Sequence, residues 1–299
     1  MNLSIKIKNL TLKNPVMTAS GTFGYGEENA EFFDLSLLGA IVVKGLSIKP
    51  SIGNPPPRIW ETPCGMLNSI GLQNIGVEAF TKGNLPWLRQ FDTKIIANFY
   101  GNDISEFVDA AIALEGLDAL EMNVSCPNKQ AGWIAFGTDP LMLSRVVTEV
   151  RKVTQLPLIV KLSPNVTDIA VMARAAVDAG ADALSLINTL MGMAIDIETK
   201  KPRLSNIIGG LSGPAIRPVA IRMVYQVHKA VDVPLIGMGG IMNGSDAVEF
   251  LLAGASGIGV GTANFIDPKA SIKVLDGIID YMKAKNINDI NDIIGGVKV

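Results

Sequence analysis

Short apolar runs recur along the chain, and polar, lysine or glycine-rich chemistry gathers at the carboxyl end of nearly every one. Ser20 and Gly21 follow Pro15–Ala19, Lys44 and Gly45 follow Ala40–Val43, and Asn98 comes near the end of Lys94–Phe99. Asn123 closes Asp118–Val124 with Cys126 just beyond it, and Lys161 closes Pro157–Leu162. Asn188 and Thr189 follow Asp182–Ile187, Gly239 and Gly240 follow Val233–Met238, and Gly261 and Thr262 follow Ser256–Val260. Runs this short and this apolar read as strands buried on both faces, the habit of parallel sheets. Helical spacing fills the intervals, over Ile104–Glu115, Leu141–Val153, Val171–Ala179 and Ala215–Val231. Strands alternating with helices, with functional groups at the strand carboxyl ends, predict an α/β fold: a (β/α)8 TIM barrel with its active site on the C-terminal face.

Three further patterns sharpen this picture. Leu3–Leu12 alternates apolar and polar residues on both sides of Lys8-Asn9 and predicts an N-terminal hairpin across the barrel floor. Helix ends share a small-residue turn, which assigns Gly116, Gly180 and Gly254 to C′ caps, where positive φ costs glycine little. Two stretches, Lys49–Asn74 and Pro127–Pro140, are too long and too rich in glycine and proline for simple connectors. They are predicted to be long active-site loops overhanging one end of the barrel. With no linker and no break in composition, residues 1–299 read as a single domain.

Composition narrows the chemistry. The 299 residues are 48% hydrophobic and carry a net charge of −2 with no basic stripe, which disfavours nucleic acid as a partner. The N-terminus lacks a secretory h-region, and no apolar run approaches the ~18 residues that would cross a membrane, so the expected location is cytoplasmic. The two cysteines have no metal-ligand spacing, so no metal site is expected on this chain. Cys64 reads as structural. The lone histidine, His228, falls in a helix before the seventh strand, which argues against triads and multi-histidine sites.

The candidate site residues then fall into groups. Gly237-Met-Gly-Gly-Ile and Gly257-Ile-Gly-Val-Gly-Thr follow the last two strands, where barrels commonly cradle phosphate. Neither fits the Rossmann fingerprint. Lys44 and Lys161 place ammonium groups at the mouth, fit for an anion or for a Schiff base. Asn68, Asn98, Asn123, Asn128 and Asn188 offer paired donors and acceptors suited to a cyclic imide or heteroaromatic edge. Cys126 lies among polar groups and is a candidate nucleophile or base.

Taken together, Leu67-Asn-Ser-Ile-Gly-Leu-Gln-Asn, Asn123-Val-Ser-Cys-Pro-Asn, Gly137-Thr-Asp-Pro, Gly192-Met-Ala-Ile-Asp and Gly209-Gly-Leu-Ser-Gly-Pro resemble dihydroorotate dehydrogenases over essentially the whole chain. The cysteine in Ser-Cys-Pro-Asn resembles class 1, and the last two stretches resemble the NAD-linked class 1B catalytic subunit. The resemblance implies oxidation of dihydroorotate to orotate in pyrimidine biosynthesis, with hydride transfer to FMN and Cys126 as base. It implies FMN bound by Ala19, Ser20, Lys44, Gly45, Asn98, Asn123, Lys161, Ile187, Gly213, Gly239, Gly240, Gly261 and Thr262. The substrate would be held by Lys44, Asn68, Ser69, Ile70, Gly71, Leu72, Asn123, Asn188 and Thr189. It further implies a partner subunit carrying FAD and an iron–sulfur cluster, NAD+ as final acceptor, and a heterotetramer built on a homodimer. Gln130-Ala-Gly-Trp133 departs from the smaller, glycine-rich lid the family implies. Other readings of the same residues are a fumarate-linked relative, an FMN dihydropyrimidine dehydrogenase-type enzyme, a Schiff-base aldolase or lyase using Lys161, and a non-catalytic scaffold.

Overall fold

A computed structural model describes residues 1–124 and 136–299. Its strands are β1 Ile5–Ile7, β2 Leu10–Leu12, β3 Val16–Thr18, β4 Ala40–Leu46, β5 Ile59–Thr62, β6 Gly65–Asn68, β7 Lys94–Phe99 and β8 Ala119–Asn123. There follow β9 Leu158–Lys161, β10 Ala183–Leu186, β11 Leu190–Met193, β12 Ile195–Asp196, β13 Lys201–Pro202, β14 Ile208–Ser212, β15 Leu235–Met238 and β16 Gly257–Val260. β3, β4, β7, β8, β9, β10, β15 and β16 close, in that order, into a parallel barrel. This is the (β/α)8 architecture the hydrophobic pattern predicts. All four residues of β9, β10, β15 and β16 are buried, because side chains pointing out meet helices while those pointing in meet each other.

The helices start at the rim where the strands end, and short polar side chains fix those starts. Asp103, Asp139, Asp168 and Asn243 each accept a backbone N–H from the first turn of the helices Ile104–Ala113, Pro140–Val153, Ile169–Asp178 and Gly244–Ala253. At the opposite end, β1 and β2 form the expected N-terminal hairpin. Lys8 at its tip pairs with Asp182, which precedes β10. Gly180 and Gly254 take the predicted positive φ at helix ends, +108° and +115°. Gly116 does not adopt positive φ. Its helix stops earlier, at Ala113, and the turn after it is held instead by Arg89, which donates to the Gly116 carbonyl at 2.9 Å.

The stretch 49–74 is more ordered than a loop. β5 and β6 form a hairpin that joins β14 and β11 in a four-stranded antiparallel sheet over the barrel mouth. The register places Asn68 of β6 opposite Gly210 of β14. Cys64 sits in the turn of that hairpin and is exposed, not packed in a core. Its carbonyl accepts the Ala215 N–H at 2.9 Å, so the backbone at this position is structural and the thiol is not. Cys126, Asn128 and Trp133 lie outside the described residues.

Candidate active site

Polar side chains on the inward faces of the barrel strands gather toward the rim, with Glu121 in the middle of β8. Lys44 stands near the end of β4 after four buried apolar residues. Burial holds its ammonium below the ordinary lysine range, and the nearby Arg58 charge pushes the same way. No carboxylate pairs with Lys44 among the described residues. Lys161 closes β9, with Nζ 3.8 Å from Oε2 of Glu121 and both side chains almost wholly buried. Nδ2 of Asn98 on β7 donates to that same carboxylate oxygen at 2.6 Å. Glu121 escapes a reading that attends only to strand ends. Its signal was a lone carboxylate inside Ala-Leu-Glu-Met-Asn, two residues before Asn123 and therefore on the same face of β8.

Lys44, Asn98 and Lys161 border one cavity of about 400 Å³ at the carboxyl ends of the barrel strands. Ala19, Ser20, Lys44, Gly45, Asn98, Asn123 and Lys161 line it from the first half of the barrel. Ile187, Asn188, Thr189, Gly213, Gly239, Gly240, Gly261 and Thr262 line it from the second. Asn68, Ile70, Gly71 and Leu72 reach it from the hairpin side. Ser69 is set back, fully buried, with its N–H donating to the Arg58 carbonyl at 2.8 Å.

Two glycine turns shape one end of the cavity. Gly240 has φ +83°, and a Cβ there would lie 2.8 Å from the Gly213 carbonyl oxygen, so only glycine lets this turn close. Gly261, which also borders the cavity, differs: a Cβ there would lie at ordinary contact distance, 3.4 Å from Ala19 and 3.8 Å from Thr22. Thr262 donates its hydroxyl to Ser212 Oγ at 2.8 Å, which adds Ser212 to the lining; the serine carried no sequence signal beyond its place in a glycine-rich stretch.

The other end is built of amides and held by a second layer. Asn188 donates to Asn123 Oδ1 at 3.4 Å, and Asn165 anchors the same turn by donating to the Thr189 carbonyl at 3.0 Å. β14 presses directly on Thr189, since a Cβ on Gly210 would lie 2.1 Å from Thr189 Oγ1. Leu72 takes positive φ, +60°, with its carbonyl accepting from Asn74 Nδ2 at 2.9 Å and from the Tyr100 hydroxyl at 3.2 Å. Asn74 and Tyr100 thus hold the 68–72 turn against the cavity, a task visible only once the turn is folded.

The family model for dihydroorotate dehydrogenase matches residues 2–282, every barrel strand included. The chain belongs to the dihydroorotate dehydrogenase family. It is 56% identical over 301 residues to the "Dihydroorotate dehydrogenase B (NAD(+)), catalytic subunit" of Thermoanaerobacter sp. (strain X514), covering 100% of both chains. Proteins of the same description from Thermodesulfovibrio yellowstonii, 57% identical with 99% of each chain covered, and Alkaliphilus oremlandii, 59% identical with 98% of each covered, are similarly alike.

A dihydroorotate dehydrogenase site needs room for a flavin phosphate and a ring, and two observations meet that need. Asn98 Oδ1 is buried with no hydrogen-bond partner, an acceptor left for a bound donor. Gly261 borders the cavity with no side chain to take up its room. The residues fit the group. The Schiff-base reading fares worse, because Lys161 faces a carboxylate, whereas an amine nucleophile is activated by desolvation or by a neighbouring cation. Among the described residues no cluster of His, Cys, Asp or Glu could hold a metal, and no helix is long and apolar enough to cross a membrane. His228 lies at the end of the helix Arg217–His228, its ring packed against Gly254 and Gly295 away from the cavity.

Proposed function

We propose that this chain is the catalytic subunit of an NAD-linked dihydroorotate dehydrogenase, oxidising (S)-dihydroorotate to orotate in de novo pyrimidine biosynthesis, with residues 1–299 acting as one cytoplasmic domain. The observation that carries it is the convergence of Lys44, Lys161, four asparagines and two glycine turns on one cavity. The chain in question is 56–59% identical to full-length relatives of that description.

FMN is held in this reading by the cofactor residues named above, with the Gly239–Gly240 and Gly261–Thr262 amides at the phosphate. Bound there, FMN supplies a two-electron acceptor for the hydride leaving carbon 6 of the substrate. The protein does the rest. Lys44 pairs with the substrate carboxylate, and Asn68, Asn123 and Asn188 read the ring amides with Thr189. Cys126, as thiolate, takes the proton from carbon 5 as the carbon 5–carbon 6 double bond forms. A partner subunit bearing FAD and an iron–sulfur cluster would link this chain to NAD+ as the final acceptor, in a heterotetramer built on a homodimer of this chain. Exposed Trp60, Met191, Met193 and Ile195 on the appended strands support a subunit contact there.

The test is optical. The purified protein is expected to be yellow and to bleach when dihydroorotate is added without oxygen; a colourless protein, or one bleached by dihydrouracil instead, would overturn the reading. Cys126→Ala should keep its flavin and bleach ~10²–10⁴-fold more slowly, the usual worth of a positioned base. An unchanged rate removes Cys126 from the mechanism. Rapid NAD+ reduction by the chain without its partner would refute the partner assignment.

A further inference from the structure

We propose that Glu121 is a positioning residue that fixes the Asn98 amide and the Lys161 ammonium behind the flavin, and thereby sets how readily the bound flavin is reduced. The proposal rests on the FMN reading above.

The barrel register makes the case. Asn98 on β7 pairs with Glu121 on β8, Glu121 with Ile159 on β9, and Lys161 with Ser185 on β10. Strand pairing and the two-residue alternation therefore put Asn98, Glu121, Lys161 and Ser185 on the same, inward face of the barrel wall, all four buried. Asn98 and Lys161 line the cavity, while Glu121 is 1% exposed and does not. It reaches a ligand only through those two neighbours.

A buried carboxylate is a poor choice for stability, since apolar residues of similar size commonly replace buried charges without loss. The group of four is not even fully satisfied, because Glu121 Oε1 and Ser185 Oγ are buried with no hydrogen-bond partner. What the carboxylate achieves is direction. It can only accept, so the Asn98 amide must turn Nδ2 toward it, at 2.6 Å, and present Oδ1 at the cavity wall. Oδ1 there has no partner and lies 2.8 Å from where a Cβ on Gly45 would stand. A flavin ring brings an imide N–H that answers such an acceptor. The second effect is on charge. At 3.8 Å, Glu121 partly offsets Lys161 while leaving its ammonium donors for the cavity. An ammonium without that offset would favour the electron-rich, reduced flavin more strongly.

Glu121→Gln removes the charge, keeps the shape and lets either end of the Asn98 amide face inward. Spectroelectrochemical titration of the flavin-loaded variant should show a raised midpoint potential. The preference for reduced over oxidised flavin should grow about tenfold, or about 30 mV for two electrons. The visible spectrum of the oxidised flavin should shift as well. Glu121→Asp keeps the charge and should hold the potential near wild type. A Glu121→Gln potential equal to wild type, or lower, overturns the proposal, and so does failure of both variants to fold, which would make the role structural. Wild-type protein without flavin sinks the functional reading and this proposal with it. A flavin-loaded wild type with an unmoved variant sinks this proposal alone.

Discussion

At the barrel floor, Asp182 accepts from Arg151 at 2.7 Å and from the Leu158 N–H at 2.9 Å, and pairs with Lys8 at 3.3 Å. Asp118 does the same for Arg89, at 2.5 Å, and for the Ile95 N–H, at 2.9 Å. At the rim of the same barrel, Lys44 is half-buried with no carboxylate beside it among the described residues, and Asn98 Oδ1 is buried without a hydrogen-bond partner. The floor closes its polar groups on one another, while the rim leaves some open for a ligand. Such local violations of polar satisfaction mark functional sites, and here they mark one end of a barrel whose strands are otherwise alike.

Removing Lys44 should separate the two ends most sharply. Loss of one partner of a buried charge pair costs about 2–5 kcal/mol, so Lys44→Met should lower kcat/KM roughly 30- to 4,000-fold. Stability without ligand should move the other way. Burial lowers the Lys44 pKa from 10.5, so the unfolded chain binds the proton more tightly than the native one. Native stability therefore falls as pH drops through the window below 10.5, and the penalty is absent above it. Denaturant titration of the flavin-free protein should find Lys44→Met more stable than wild type at pH 7, with the gain vanishing as pH passes 10.5. Equal stability at pH 7 would mean that the rim carries no cost, and the contrast would fail.

Gly261→Ala sharpens the same point without the charge. Its Cβ would sit at ordinary contact distance from Ala19, and Gly261 does not take positive φ, so the melting temperature without cofactor should hold. The methyl takes up room at the border of the cavity, and overpacking costs about 1–3 kcal/mol, so FMN affinity should fall roughly tenfold or more. Gly240→Ala could not make this distinction, because its backbone conformation alone would disturb folding.

How much of this was legible beforehand depended on whether the signal was local. Each barrel strand shows in the sequence within a few residues, because burial on both faces leaves an uninterrupted apolar run. β4 extends through Lys44 and Gly45 to Leu46, since the lysine stem packs where an apolar side chain would. The appended sheet was not legible. β6 meets β14 through residues 142 positions apart, Asn68 and Gly210, and strands of four or five residues, three of the four containing glycine, carry no periodicity of their own. The same holds in the site. Lysines and asparagines at strand ends announce themselves, whereas Glu121, Ser212, Asn165 and Asn74 matter through partners that folding brings near. Gly116 and Cys64 misled for the converse reason, a residue type read without its neighbours.

The smallest expected effect belongs to the floor. Asp182→Ala takes the acceptor from Arg151, Lys8 and the Leu158 N–H together, yet the loss should stay near 1–3 kcal/mol. Arg151 keeps the carbonyls of Thr154 and Leu156, and the Asp182 side chain is 18% exposed, so water reaches the stranded groups. Calorimetry should record a drop of a few degrees. Flavin content and the Kd for FMN should not change, because β10 carries the altered residue at one end and its cavity residues at the other, with four buried residues between. A closed barrel packed at crystal-like density moves little over that length when one surface-proximal pair is lost. Should Asp182→Ala shed flavin, the two ends would be mechanically coupled, and the open groups of the rim would owe their placement to the ion pairs of the floor.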